Sequence, residues 1–302
     1  MPAIEEDALQ QALDTLRTAD RRAVQRAGYH FQPNDYYSPL NDVAFLDANR
    51  DLWEGVQPCP DVDFNGDRQL AVAREIAPFL PELRSIPEIT ENPVEYAWRN
   101  NFWNNADALV QYGLVRARRP KRYIEVGCGW SSLLLMKALE RNAAEDGGRT
   151  EVTTIEPYPR ADLFATFPRH WVNHPVMLQR APLEVFDALG AGDILFYDGS
   201  HAAKAASDVN WFFFRVLPRL KAGVLIHLHD IFLPFDYPEH WLFERTQSWN
   251  EQYLLQAFLM NNPRYSIEIA NRWLWAHHRP TVEALYQGIQ PSIGCSFWMV
   301  KR

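Results

Sequence analysis

The chain has 302 residues, 47% hydrophobic and 13% aromatic, which is ample for the core of one large or two modest domains. Its net charge of −8 argues against a nucleic-acid-binding protein held by a basic surface. The N-terminus is acidic, and no apolar run approaches the roughly 18 residues that span a bilayer, which predicts a cytoplasmic protein with no membrane partner. The three cysteines are scattered and form no Cys-x-x-Cys pair, which fits a reducing compartment and predicts no zinc site.

Residues 1–95 predict a helical and aromatic N-terminal extension. Apolar periodicity favours helices over 5–27 and 67–83, separated by a long stretch rich in aromatic residues and proline. A loop of this length in a compact domain is usually functional or disordered, and its aromatic side chains argue against disorder. Two interpretations stay open: a lid whose Tyr36 and Tyr37 contact a small substrate, or an arm packed on the core.

Residues 96–302 predict an α/β domain. After a helix over 105–116 the chain alternates strands and helices, which indicates a mostly parallel sheet with helices on both faces. The predicted strands are 123–126, 151–155, 176–179, 193–197, 223–229, 265–269 and 296–300. The predicted helices are 130–144, 163–169, 183–189, 203–220 and 249–260. The apolar run 211–214 can be core or the face of a homodimer.

The first strand is followed by a glycine turn and a helix start at Gly127 and Gly129. The glycines let a ligand approach the backbone, and the free N–H groups of the first helical turn face an anion. A dinucleotide fingerprint would place a third glycine at Ser132, and Glu125 would repel a pyrophosphate. The ligand that suits this turn is cationic, has a ribose diol and ends in a carboxylate, as S-adenosylmethionine does.

The segment Glu125-Val-Gly-Cys-Gly129 resembles the first motif of the class I S-adenosylmethionine-dependent methyltransferases. The resemblance implies a Rossmann-like methyltransferase fold, with a seven-stranded sheet in the order 3-2-1-4-5-7-6. It also implies that Glu125, Gly127, Gly129 and Ser131 bind S-adenosylmethionine.

Acidic and imidazole groups follow four of the predicted strands at their carboxyl ends, where ligands of open α/β sheets bind. Glu156 follows the second strand, and its carboxylate is placed to accept hydrogen bonds from a ribose diol. Tyr158 could cover the sugar or the adenine. Asp198 follows the fourth strand as a further cofactor contact, with N-capping of the next helix as the structural alternative.

Asp198-Gly-Ser-His201 and His229-Asp230 resemble the branch that includes the macrocin O-methyltransferases and cephalosporin-hydroxylase-like proteins. The resemblance implies that Asp198, His229 and Asp230 hold Mg²⁺, Mn²⁺ or Fe²⁺. The match departs from the family at two points. The macrocin-like pattern has two acidic residues at positions 229 and 230, and catechol-type enzymes have Asn at the position of Ile231.

Methyl transfer needs an aligned nucleophile and a group that removes its proton. The candidate bases are His201 and His229, and we expect His201 to be the base and His229 a metal ligand. His227 lies deeper in its strand and is interpreted as a core histidine. Trp249 is a further predicted substrate contact. The aromatic residues suggest a small hydroxyl acceptor of the kind found in natural-product biosynthesis.

Two other classes of function stay open from the sequence. One is a nicotinamide-dependent oxidoreductase on a Rossmann fold, against which Ser132 and the absence of a phosphate-binding cation near the turn both count. The other is a degenerate methyltransferase fold that acts as a binding protein, against which the intact polar strand ends count. The sequence does not discriminate O, N and C methylation.

Overall fold

The computed structural model describes residues 5–302, so the first four residues of the predicted extension lie outside the described part. Its α-helices are α1 (Glu6–Thr18), α2 (Arg21–Arg26), α3 (Val43–Ala48), α4 (Gly66–Ile76), α5 (Asn105–Arg118), α6 (Trp130–Asp146), α7 (Ala161–Thr166), α8 (Glu184–Asp187), α9 (Asp208–Trp211), α10 (Glu239–Phe243), α11 (Glu251–Leu259) and α12 (Asn271–Tyr286). Its strands are β1 (Arg122–Val126), β2 (Glu151–Ile155), β3 (Val172–His174), β4 (Ile194–Tyr197), β5 (Leu225–Leu228), β6 (Tyr265–Ala270) and β7 (Phe297–Lys301).

The chain divides into two compact units, and the smaller one combines the residues up to Arg50 with Pro238–Ser248. It contains α1, α2, α3 and α10. The single helix predicted over 5–27 is wrong, because the backbone is extended at Ala19 and the Asp20 side chain accepts a hydrogen bond from the N–H of Arg22 to cap α2.

The larger unit comprises Asp51–Tyr237 and Trp249–Arg302 and contains the sheet. Residues 51–95 are therefore part of the unit that carries the sheet, and the division falls at residue 50 rather than at the predicted 95. The predicted helix over 67–83 ends at Ile76 and continues as a 3₁₀ helix, Ala77–Ser85, which contains Pro81.

The sheet has seven strands in the order β3-β2-β1-β4-β5-β7-β6, which confirms the predicted fold. The pairs β1–β2, β1–β4, β2–β3 and β4–β5 are parallel, whereas β7 is antiparallel to both β5 and β6. The register aligns Val126 with Ile155 and Tyr197, and Tyr197 with Leu228. The residues that follow these four positions therefore leave the sheet at one level.

Alternate residues of the strands build a core on each face of the sheet. Tyr123 and Phe196 are buried on the face that α5 and α6 cover. Ile124 and Leu195 are buried on the opposite face, together with Phe212 and Phe213 of the predicted apolar run. Phe214, in contrast, is 61% exposed.

Two predicted elements of the domain differ clearly from the structure, and one helix was not predicted. The third strand is Val172–His174 and not 176–179, because Pro175 ends it and residues 178–180 form a 3₁₀ turn. The helix predicted from residue 203 begins at Asp208, capped by Ser207, and continues through a π turn and a 3₁₀ turn to Arg219. No element was predicted for α12, which is kinked at His278 and contains Pro280.

Candidate active site at the carboxyl ends of the strands

The turn after β1 is held against the end of β4. Gly127 has φ +83°, and a Cβ there would lie 2.1 Å from the backbone oxygen of Asp198. The N–H of Gly127 donates to Ile155 O at 3.0 Å, and the N–H of Asp198 donates to Val126 O at 2.9 Å. Glycine at position 127 is thus required both by the left-handed backbone and by the close approach of β4.

Glu125 is fully buried and faces the start of α6. Ser131 Oγ donates to Glu125 Oε1 at 2.7 Å, and Ser132 Oγ donates to Oε2 at 2.8 Å. Burial raises the pKa of Glu125 to about 7, although the two serine hydrogen bonds act in the opposite direction. Two of the predicted cofactor-binding residues, Glu125 and Ser131, are therefore buried, and the hydrogen bond between their side chains joins β1 to α6.

Glu156 extends from β2 across the glycine turn. Its Oε2 accepts a hydrogen bond from the N–H of Cys128 at 3.1 Å, and its Oε1 accepts one from the N–H of Tyr158 at 2.7 Å. The carboxylate is thus fixed at the turn while the Tyr158 side chain remains 79% exposed.

Two clefts meet beside Gly127 and Asp198. The first has a volume of about 280 Å³, and its lining includes Glu156, Tyr158, Met177 and Asp198. The second has a volume of about 330 Å³, and its lining includes Trp103, Gly129, Trp130, Ser131 and Arg160. Gly127, Glu156, Asp198 and Gly199 line both. Together the clefts join the ends of β1, β2 and β4 in a groove along the sheet edge.

A cluster of two carboxylates and two imidazoles follows β4 and β5. Asp198 Oδ1 and Asp230 Oδ2 lie 3.3 and 3.5 Å from Nε2 of His201. Asp198 Oδ2 and Asp230 Oδ1 lie 3.6 and 3.7 Å from Nδ1 of His229. The structure therefore brings together four of the predicted site residues, with each carboxylate between the two rings.

His201 is held from behind by Glu251, a buried residue of α11. His201 Nδ1 lies 2.9 Å from Glu251 Oε2, and the His201 backbone oxygen accepts a hydrogen bond from the N–H of Glu251 at 3.3 Å. Burial alone would lower the pKa of His201, but contact with Asp198 and Glu251 raises it to about 10. Glu251, the first residue of α11, thus orients this histidine.

The backbone at the cluster is in an uncommon conformation. His201 has φ +57° and Asp230 has φ +54°. Left-handed backbone at a residue other than glycine costs about 1–3 kcal/mol and persists where the surrounding structure imposes it. Both residues make the carboxylate–imidazole contacts themselves, since His201 Nε2 lies 3.5 Å from Asp230 Oδ2.

The second ring nitrogen of His229 faces a different group of side chains. Asp107 Oδ2 of α5 lies 3.7 Å from His229 Nε2, and Cys295 Sγ lies 3.5 Å from the same nitrogen. Burial alone would lower the pKa of His229, but the nearby Asp230 and Asp198 carboxylates raise it well above its usual range. His229 thus connects the predicted cluster to Asp107 and Cys295.

The side chains predicted to hold Mg²⁺, Mn²⁺ or Fe²⁺ are suited to such an ion. Asp198, Asp230 and His229 Nδ1 offer two carboxylates and one imidazole nitrogen, a set that hard divalent cations accept. Nε2 of His201 approaches the same two carboxylates, so a protonated imidazole can also balance their charge.

The remaining predicted residues are placed as follows. Tyr36 and Tyr37 belong to the smaller unit and are 95% and 87% exposed. The ring of Trp249 lies 4.3 Å from that of His201. His227 is fully buried with Nε2 3.0 Å from Ser296 Oγ, as expected of a core histidine. Ser207, not Asp198, caps α9, so the structural alternative for Asp198 is wrong.

Three residues of the cluster were not among the predicted site residues: Asp107, Glu251 and Cys295. Each comes from a segment that does not follow a parallel strand of the sheet: α5, α11 and the chain before β7. One signal was present in the sequence, since Glu251 is an acidic residue among otherwise uncharged neighbours at a helix start. Asp107 and Cys295 had no such signal.

Comparison with known proteins gives a family match within the larger unit. Residues 124–231 match the family described as a methyltransferase domain. An uncharacterized protein of Archaeoglobus fulgidus is 28% identical over 140 residues, which cover 45% of this chain and 62% of that protein. The chain thus aligns with less than two thirds of that relative.

Two solved structures show weaker similarity. One is the MycE methyltransferase of mycinamycin biosynthesis in complex with Mg, SAH and mycinamycin VI, at 16% identity and a TM-score of 0.32, covering 56% of this chain and 39% of that one. The other is loganic acid methyltransferase with SAH, at 9% identity and a TM-score of 0.28, covering 82% and 98%. TM-scores this low carry no argument about ligand or activity.

Among residues 5–302, no helix is both long and apolar enough to cross a bilayer. The family match spans β1 to the residue after the His229-Asp230 pair, and so includes the strand ends that form the groove. With the strand order of the sheet, this match supports a class I methyltransferase domain in the larger unit.

Proposed function

We propose that this protein transfers a methyl group from S-adenosylmethionine to a hydroxyl oxygen of a small molecule. The observation that carries the proposal is the groove in which Gly127, Glu156 and Asp198 line adjoining clefts. The match of residues 124–231 to a methyltransferase domain supports the same reaction.

The first cleft suits the adenosine part of the cofactor. Glu156 is fixed by two backbone N–H groups and can accept hydrogen bonds from a ribose diol, while Tyr158 and Met177 offer apolar surface to the base. The second cleft lies at the N-terminus of α6, where N–H groups that have no partner within the helix favour a carboxylate. In this arrangement Glu125 and Ser131 act indirectly, by holding the turn.

His201 is the proposed general base. Glu251 orients the ring through Nδ1, which leaves Nε2 to face Asp198, Asp230 and the acceptor hydroxyl. The Asp198 and Glu251 carboxylates favour the charged imidazole. His201 must lose its proton before it can act as a base, and the positive charge that S-adenosylmethionine supplies when bound would favour that loss.

The finer assignment to the macrocin O-methyltransferase-like branch is also a proposal. It is supported by the proximity of Asp198, His201, His229 and Asp230. Asp198, Asp230 and His229 would hold the divalent ion of that branch, and such an ion lowers the pKa of a bound hydroxyl. We also propose that the acceptor is a hydroxyl compound with aromatic, sugar or polyketide character, and that Trp249 contacts it.

The experiment is a methyl-transfer assay with a panel of phenolic, sugar and polyketide hydroxyl compounds, measured as S-adenosylhomocysteine formation. Since a general base contributes about 10²–10⁴-fold to rate, His201→Asn should lower turnover by that factor while cofactor affinity changes little. His170→Asn, at an exposed histidine outside the groove, is the control and should keep full activity. A fully active His201→Asn variant would overturn the assignment of the base.

A further inference from the structure

The side of His229 that faces away from His201 carries a second set of metal-binding atoms. Asp107, His229 and Cys295 each offer one ligand atom, and these atoms lie within 4.8 Å of one another. We propose that Asp107 Oδ2, His229 Nε2 and Cys295 Sγ form a binding site for a transition-metal ion of the Zn²⁺ class. This inference does not depend on the proposed methyl transfer.

The distances between the three atoms suit a tetrahedral site. Cys295 Sγ lies 3.5 Å from His229 Nε2 and 3.5 Å from Asp107 Oδ2, and the nitrogen and oxygen are 3.7 Å apart. Zinc bonds of about 2.0–2.3 Å at tetrahedral angles separate neighbouring ligand atoms by roughly 3.3–3.7 Å. An ion can therefore bind all three with small side-chain movements.

Hydrogen bonds hold the Asp107 carboxylate in the orientation that the site needs. Its Oδ1 accepts from Asn271 Nδ2 at 2.9 Å, from Cys295 N at 2.9 Å and from Ser296 N at 2.6 Å. Its Oδ2 faces the thiol and the imidazole, with one further backbone donor, Cys295 N, at 3.1 Å. A ligating carboxylate whose other oxygen is hydrogen-bonded is typical of built metal sites.

His229 is oriented by carboxylates on its opposite side. Its Nδ1 faces Asp198 Oδ2 and Asp230 Oδ1, which favours the tautomer with the proton on Nδ1 and the lone pair on Nε2. A histidine that binds zinc through one ring nitrogen commonly donates its other N–H to a carboxylate. The ring of Trp103, 4.7 Å from that of His229, limits its movement.

The ligand types select the ion. A thiolate, a carboxylate and a neutral imidazole balance the charge of a divalent cation, and a thiolate favours zinc over magnesium. The fourth tetrahedral position is left for water.

The site differs from the one that the family resemblance implies. That site would use Nδ1 of His229, whereas this one uses Nε2. A neutral imidazole has one lone pair, so with Zn²⁺ on Nε2 a divalent ion at the methyl-transfer site would be held by Asp198 and Asp230 without His229. The absence of a Cys-x-x-Cys pair predicted no zinc site, but Cys295 meets Asp107 and His229 only in the folded chain.

The test is titration of the chelator-treated full chain with Co²⁺, which gives a thiolate-to-cobalt charge-transfer band when a cysteine is a ligand, followed by displacement with Zn²⁺. We expect a band that saturates at one equivalent, is removed by Zn²⁺ and withstands excess Mg²⁺. Cys295→Ser should abolish the band, and Asp107→Asn should weaken Co²⁺ binding by about 10–100-fold. Cys59→Ser, at a half-buried cysteine outside the cluster, should leave it unchanged.

Circular dichroism establishes whether each variant is folded. If Cys295→Ser does not fold, the Co²⁺ affinity of Asp107→Asn tests the site instead. No charge-transfer band in the wild-type chain would overturn the proposal. A band that persists in folded Cys295→Ser, or one that Cys59→Ser removes, would also overturn it. None of these readouts requires methyl transfer, so failure here leaves the proposed function untouched.

Discussion

Glu125 illustrates at the residue scale how burial sets the chemistry of a side chain. The carboxylate lies at the end of β1 without exposed surface, and two serine hydroxyls are its hydrogen-bond donors. Since burial disfavours the charged form, the pKa of Glu125 rises from 4.5 to about 7. Its charge therefore acts against folding at neutral pH.

We predict that this residue gives the protein a pH-dependent stability. Because the pKa of Glu125 is raised in the folded state, its contribution to the free energy of unfolding is fully present below pH 4.5. This contribution declines as pH rises from 4.5 to 7 and does not change further above pH 7. The expected loss is roughly 3 kcal/mol. Glu125→Gln should remove this decline from denaturation curves at pH 4.5, 6 and 8. Exposed Glu151→Gln should follow the wild-type profile; an unchanged profile in Glu125→Gln would contradict the prediction.

The residues that the sequence identified are those placed by strand ends. Glu156, Asp198 and His229 follow aligned positions of parallel strands, so their proximity follows from topology alone. Asp107 and Cys295 are separated by 188 positions and meet through tertiary packing, which no local pattern encodes. The contact between Glu251 and His201, which lie 50 positions apart, likewise follows from tertiary packing.

At the scale of elements, the contact between the β1 turn and the end of β4 shapes the groove. Gly127 and Gly192 both have positive φ, +83° and +85°. A Cβ at Gly192 would meet nothing within 4 Å, whereas one at Gly127 would meet the Asp198 backbone. Substitutions at these two glycines therefore distinguish the cost of a left-handed backbone, present at both, from the cost of a steric clash, present only at Gly127.

We predict that Gly192→Ala costs about 1–2 kcal/mol through the left-handed backbone alone. Gly127→Ala should cost a further 1–3 kcal/mol, approximately, because the end of β4 must move. It should also weaken S-adenosylmethionine binding, since Gly127 and Asp198 line both clefts. Urea denaturation and calorimetry measure the two effects, and equal destabilisation by both substitutions would contradict the contact.

Every predicted strand except the third was placed closely, whereas several predicted helices are divided or begin elsewhere. The β1, β2, β4 and β5 strands lie within two residues of their predicted bounds. The third strand was misplaced because the apolar run after Pro175 resembles a strand but packs as a 3₁₀ turn. Helix α12 was missed because its paired histidines and Pro280 obscure the helical period.

At the scale of the whole molecule, we consider the smaller unit, for which we predict a role in contacting the substrate. Helices α1, α2 and α3 contain no buried residue, so this unit has little core of its own. Its Tyr36 and Tyr37 are almost fully exposed side chains, which suits contact with a ligand.

We predict that deletion of residues 29–40 abolishes turnover and leaves S-adenosylmethionine binding intact, because the proposed cofactor contacts all lie in the larger unit. The double substitution Tyr36→Ala with Tyr37→Ala should raise KM for the acceptor, whereas Tyr29→Ala, also at an exposed tyrosine of this unit, should not. Turnover assays and calorimetry make the comparison. Undiminished turnover after the deletion would leave the segment with a structural role only.

The measurement that tests the central claim most directly is calorimetric titration of the full chain with S-adenosylmethionine, before and after chelation. We expect saturable binding that survives chelation and is weakened roughly 10–100-fold by Glu156→Ala, as loss of hydrogen bonds to a carboxylate would cause. His170→Asn should bind as the wild type does. Failure of the folded wild-type chain to bind S-adenosylmethionine under either condition would contradict the methyltransferase proposal.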